Sequence, residues 1–82
     1  MFTINDSYNR LEKNKKLKQS AFNLYQSMLE ILVLDPETLS AELWLTARHQ
    51  GLRLENKESQ LWYHYNLDSK GAIVGFTNGT ID

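Results

Sequence analysis

The stretch that most limits what this chain can fold into runs from Leu17 to Leu34. Two interleaved apolar series, Ala21/Leu24/Met28/Ile31 and Phe22/Tyr25/Leu29/Leu32, each advance by three or four residues. At about 100° per residue they fill one arc covering roughly half of a helix surface. Asn23, Gln26, Ser27 and Glu30 take the other half. An arc that wide exceeds what a single neighbouring helix covers. The helix is therefore expected to lie against a sheet, or against a helix plus a partner chain.

On either side of this helix the pattern changes. Residues 1–7 form a short extended lead-in, with Phe2 and Ile4 alternating with polar neighbours, and Asp6 or Ser7 can cap the helix. The helical pattern runs over residues 7–34, in one piece or kinked near Lys16. Lys15 and Lys18 interrupt its apolar stripe, so packing should tighten only after Leu17. Leu34-Asp35-Pro36-Glu37 combines a stop with a new start: Asp35 as N-cap, Pro36 at the first helical position and Glu37 near the positive end of the dipole. A second helix is expected from Pro36 to about Gln50. Leu39, Leu43 and Ala47 are its stripe, Trp44 sits on the shoulder, Leu45 points away, and Gly51 is a left-handed C-cap. Arg48 and His49 fall in its last turn, where positive charge is favoured.

After Gly51 the period changes from 3.6 to 2. Leu52 and Leu54 alternate with Arg53 and Glu55; Leu61, Tyr63, Tyr65 and Leu67 alternate with Trp62, His64 and Asn66. Asp68-Ser69-Lys70-Gly71 reads as a hairpin loop, a type I turn with glycine at the left-handed bulge position, returning through residues 72–76. Asn78-Gly79 reads as a further tight turn that closes the chain. The expected fold is a single α+β domain over residues 1–82: two N-terminal helices followed by a three-stranded antiparallel β-meander, in the order α-α-β-β-β. A competing arrangement makes residues 56–66 a third helix and 72–81 a wing, giving a winged helix-turn-helix.

Composition narrows the function classes. Apolar residues at 41% and charged residues at 23% describe a globular protein. The chain has no cysteine, which removes disulfides and thiolate metal sites and fits a reducing, cytoplasmic setting. No apolar run has the length of a signal peptide or a membrane span. A net charge of −1 gives no overall field toward nucleic acid or anionic lipid. His49 and His64 are the only histidines, and neither stands beside a nucleophile or a ligand set at recognisable spacing. The carboxylates are scattered and no phosphate loop is present. The sequence thus calls for no catalytic group, metal or cofactor.

Two features point to partners. The aromatic strand Leu61–Tyr65 must show large rings on one sheet face. With Tyr63 and Tyr65 toward the helix, Trp62 and His64 face outward with Ile73 and Thr77; in the opposite register the tyrosines are outside. Trp and Tyr on an open face are the residue types enriched at protein interfaces. This favours a non-enzymatic domain that binds another protein (an inhibitor, an immunity- or antitoxin-like partner, an adaptor or a minor subunit) through Trp62, His64, Leu45, Trp44, Tyr63 and Tyr65. Homodimerisation through that surface is its simplest version. The second feature is basic: Arg10, Lys13, Lys15, Lys16 and Lys18 fall within nine positions with Glu12 as the only acid. On a helix they could contact nucleic-acid phosphates.

Overall fold

The computed structural model describes residues 1–12, 14–46 and 49–81. Its elements are β1 (Phe2–Asp6), a 3₁₀ turn (Arg10–Glu12), α1 (Lys15–Leu32), β2 (Leu39–Leu45), β3 (Gln50–Asn56), β4 (Leu61–Leu67) and β5 (Ile73–Thr80). The five strands form one mixed sheet in chain order, with β1 parallel to β2 and every later pair antiparallel. Parallel neighbours cannot be joined by a tight hairpin. The chain therefore crosses from β1 to β2 through α1, which lies on one face of the sheet.

The expected α-α-β-β-β order is wrong in its first half. There is one helix rather than two, and the sheet has five strands rather than three. The segment expected as a second helix is β2. Leu39 and Leu43 are four apart, a spacing shared by one helical turn and by every second pair of strand positions. The full series Leu39, Ala41, Leu43 and Leu45 has period 2, and all four residues are at most 4% exposed. A helix would have left Leu45 outside; the strand buries it, at about 1.5–3 kcal/mol per large apolar side chain. That gain outweighs the modest helix preference of Leu, Ala and Glu. Asp35 still caps, accepting from the backbone N–H of Glu37 (3.0 Å) and Thr38 (2.9 Å), but the turn it caps leads into a strand. Gly51 is an internal β3 residue, and Asn78-Gly79 lies within β5. Ala47 and Arg48 lie outside the described residues.

β3 and β4 keep the expected alternation, and β5 returns as the expected partner strand with a register shift near its start. Gly71 takes the left-handed backbone required of it, at φ +90°, with its N–H on the Asp68 carbonyl at 3.0 Å. Residues 61–67 are strand, which removes the winged helix-turn-helix arrangement.

The expected helix over residues 7–34 is shorter. Asp6 accepts the backbone N–H groups of Tyr8, Arg10 and Leu11, capping the 3₁₀ turn, and Asn14 caps α1 through Leu17 N–H at 3.3 Å. Its buried stripe is Leu17, Ala21, Tyr25 and Leu29, packed on Leu39, Leu43, Leu52, Leu54 and Leu67 of the sheet. This is narrower than the full arc; Ile31 is 72% exposed. Phe2 meets Phe22 edge to face at 5.4 Å on the β1 side, and the Tyr65 hydroxyl reaches Met28 Sδ at 3.7 Å on the β4 side. β5 lies beyond these contacts. Among the described residues no helix is long and apolar enough to cross a membrane.

The end of α1 carries a local strain. Leu34 N–H bonds the Leu29 carbonyl at 3.0 Å and Val33 N–H that of Glu30 at 3.3 Å, a Schellman pattern that places Val33 in the left-handed region at φ 53°. A β-branched side chain there costs about 1–2 kcal/mol, and this one is 87% exposed, so it returns little by packing. Val33→Gly is expected to raise stability by about 1 kcal/mol, which is about 4–8 °C in Tm for a domain this small. A thermal melt showing no increase would count against the cap geometry.

Candidate functional site

α1 covers one face of the sheet, so the residues alternating with the core face the other way. They are Ser40, Glu42 and Trp44 on β2; Gly51, Arg53 and Glu55 on β3; Trp62, His64 and Asn66 on β4; and Gly75, Thr77 and Gly79 on β5. Across the strands they form registered rows: Glu42–Arg53–His64–Thr77 in the middle, Trp44–Gly51–Asn66–Gly75 on one side, and Ser40–Glu55–Trp62–Gly79 on the other.

Arg53 is the centre of this face. Its guanidinium carbon lies 4.8 Å from the centre of the Trp62 ring and 5.8 Å from that of Trp44. The cation thus has an aromatic face on either side, an arrangement worth about 0.5–1 kcal/mol per ring where exposed and more when water is excluded. Its Nε bonds Glu55 Oε1 at 3.4 Å, and the Trp44 indole N–H donates to Glu42 Oε1. The His64 ring sits 5.4 Å from Trp44 and 6.0 Å from His49. A shallow hollow of about 380 Å³ opens beside this cluster, between Thr3, Ser40, Glu42, Trp44, Arg53 and Glu55.

The glycines make room for the rings. A Cβ on Gly79 would come within 2.7 Å of Trp62 Cζ2, and one on Gly51 within 2.6 Å of His64 Nε2. Trp62 therefore extends across its own strand onto the backbone of β5, and His64 onto that of β3.

Of the residues marked by the sequence, Trp44, Trp62 and His64 meet on this face. Thr77 pairs with His64 as expected, while Ile73 pairs with Leu67 beyond a register shift. Tyr63 and Tyr65 face the α1 side, half-buried against Phe76 with ring centres at 6.4 and 5.0 Å. Leu45 is 1% exposed in the core and offers no surface. Of the basic group, Arg10 is half-buried in the 3₁₀ turn with its guanidinium donating to Gln50 Oε1. Lys15, Lys16 and Lys18 are exposed on the first turns of α1. Lys13 lies outside the described residues.

Arg53 and Glu42 were not singled out by the sequence as site residues, and the two ring-seating glycines read there only as a helix cap and a tight turn. Arg53 alternates with Leu52 and Leu54, which places it outward, but one of its two aromatic neighbours lies on a segment whose spacing also fits a helix. Among the described residues no group of three or more His, Asp or Glu is placed to hold a metal. Comparison with protein-family models, characterised proteins and solved structures yields no match.

The His64 imidazole is held below its ordinary value, first by burial under the neighbouring rings and then by repulsion from His49 and Arg53; a hydrogen bond with Asn66 acts the other way. Above pH 6.5, the ordinary value, His64 is neutral in both folded and unfolded chains. As pH falls below it, the unfolded chain takes up the proton more readily, so folding stability declines until the folded value is passed. Urea unfolding of the native chain and of His64→Gln on either side of pH 6.5 should show a smaller acid loss in the variant. Equal losses would mean that His64 is not held neutral by this face.

Proposed function

We propose that the chain is a non-enzymatic domain that binds another protein through the helix-free face of its sheet, centred on Arg53 between Trp44 and Trp62. The observation that carries the proposal is this cation–aromatic cluster, with His64 against it, on a face that no other described element covers. Tryptophan and arginine are the side chains over-represented among residues that dominate binding energy, and such residues gather at the centre of a patch. Here they are already ordered by one another, so less conformational entropy is lost when a partner docks. The hollow beside Trp44 can seat a partner side chain. An inhibitor, an immunity- or antitoxin-like partner, an adaptor and a minor subunit all act by occupying a surface in this way.

The test is co-purification from the native host, mass-spectrometric identification of the companion protein, and calorimetry on the purified pair. Trp62→Ala and Arg53→Ala should each weaken binding by about 2 kcal/mol or more, roughly thirtyfold, as central interface residues do. Thr77→Ala, at the margin, should change it little. A companion whose affinity is unmoved by both central variants would overturn the assignment of this face.

A second reading, nucleic-acid binding, draws on one observation. The first turn of α1 carries Lys15, Lys16 and Lys18 with no acid, although the positive end of the helix dipole disfavours cations by about 0.3–1 kcal/mol each. If these lysines contact phosphates, a mobility shift should weaken steeply with salt. Lys15→Glu with Lys18→Glu should then abolish the shift while raising Tm. Absence of a shift at low salt ends this reading.

A further inference from the structure

β5 is an edge strand of eight residues, and among the described residues nothing pairs with its outer side. Soluble proteins guard such edges with lysine, proline, inward charges or a covering element. Ile73–Thr80 contains no proline and no charged residue. Phe76 is 49% exposed and Val74 66%. The opposite edge, β1, is only five residues long and ends at Asp6.

The backbone phase of β5 is set at its far end. Ile81 N–H bonds the Gln60 carbonyl at 2.9 Å, continuing the β4–β5 register by one pair. Hydrogen-bonded pairs recur at every second residue in an antiparallel ladder. Gly75, Thr77 and Gly79 therefore turn their N–H and C=O groups toward β4, and Phe76, Asn78 and Thr80 turn theirs outward.

We infer that β5 pairs with β5 of a second copy of this chain, antiparallel about a two-fold axis at Phe76, joining two five-stranded sheets into one. The strand is suited to itself in two ways. Having no charge, it meets its copy without repulsion. An axis at Phe76 sets the outward-turned N–H and C=O of Phe76 against the same groups of the copy. It also sets the two Phe76 rings side by side, extending the Tyr63–Phe76 stack of each chain across the axis. Two copies joined edge to edge leave both Arg53 faces open, so this pairing does not occupy the surface on which the proposed function rests.

The phase of the strand supplies a selective test. Asn78→Pro removes an outward N–H without removing a bond to β4, and Phe76→Lys places the usual guard charge on the edge. In sedimentation equilibrium from micromolar to near-millimolar concentration, the native chain should reach twice its 9.6 kDa mass. Both edge variants should remain at the single-chain mass with an unchanged far-ultraviolet spectrum, and Trp44→Ala, on the open face but away from β5, should dimerise as the native chain does. Hydrogen exchange at Phe76, Asn78 and Thr80 should slow as concentration rises. If Asn78→Pro fails to fold, Phe76→Lys, which changes a half-exposed side chain and no backbone group, decides the matter. A native chain that stays at single-chain mass, or a dimer undiminished by the edge substitutions, overturns the inference; loss of the dimer in Trp44→Ala assigns self-association to the open face instead.

Discussion

The parallel pairing of β1 with β2 is the constraint on which the rest of this structure depends. It runs from Phe2 opposite Ala41 to Asp6 opposite Leu45, and the chain's first residue is built into it. Ala41 N–H bonds the Met1 carbonyl at 2.8 Å, and the Met1 amino group reaches the Tyr25 hydroxyl at 2.9 Å. That hydroxyl in turn donates to the Leu39 carbonyl at 2.7 Å. One network thus ties the first strand, the crossover helix and the start of β2 together. Because β2, β3, β4 and β5 follow one another with only a few residues between them, α1 is, among the described residues, the long connection available to cover a face. A sheet with one crossover has one covered face and one open face.

The open face is stabilised without a covering layer. Its large side chains lie against each other and against glycine backbone: Trp62 over Gly79, His64 over Gly51, Arg53 between two indoles. Each ring shields apolar surface that would otherwise meet water, and the charges of Glu42, Arg53 and Glu55 keep the patch hydrated at its polar points. The result is a surface of aromatic and charged side chains ordered by their own mutual contacts. The α1 side contrasts with it, being a leucine-rich core in which Asn56 is, among the described residues, the one buried polar residue; its amide oxygen caps the adjoining turn through the N–H groups of Glu58 and Ser59.

How far this architecture could be seen in the sequence depended on whether a segment's period was unique. Leu61–Leu67 alternates strictly and is rich in aromatic β-formers, so its strand and the hairpin at Gly71 were legible. Leu17–Leu29 steps only in threes and fours, so its helix was legible too. Leu39 and Leu43 satisfy both periods, and the Asp35-Pro36 start signal favoured the helix; Leu45, which a helix leaves stranded, was the residue that argued otherwise. Once β2 is misassigned, β1 has no neighbour and Trp44 no route to Arg53. Half of the candidate site thereby becomes invisible, although Trp62 and His64 could be seen. Parallel pairing adds to the difficulty, because no turn motif marks two strands separated by a helix.

The edge and the open face are physically linked through Trp62. Its ring rests on Gly79, a residue of the unguarded strand, so the position of one of the two indoles flanking Arg53 depends on how firmly β5 is held. An edge strand bonded on one side only is among the first parts of a sheet to fray. Whatever pairs with the outer side of β5 would fix Gly79, and through it the Trp62 ring and the width of the slot that Arg53 occupies. A second strand at that edge would thus brace the face it leaves uncovered. The route is a single van der Waals contact between neighbouring strands, and it needs no change elsewhere in the fold.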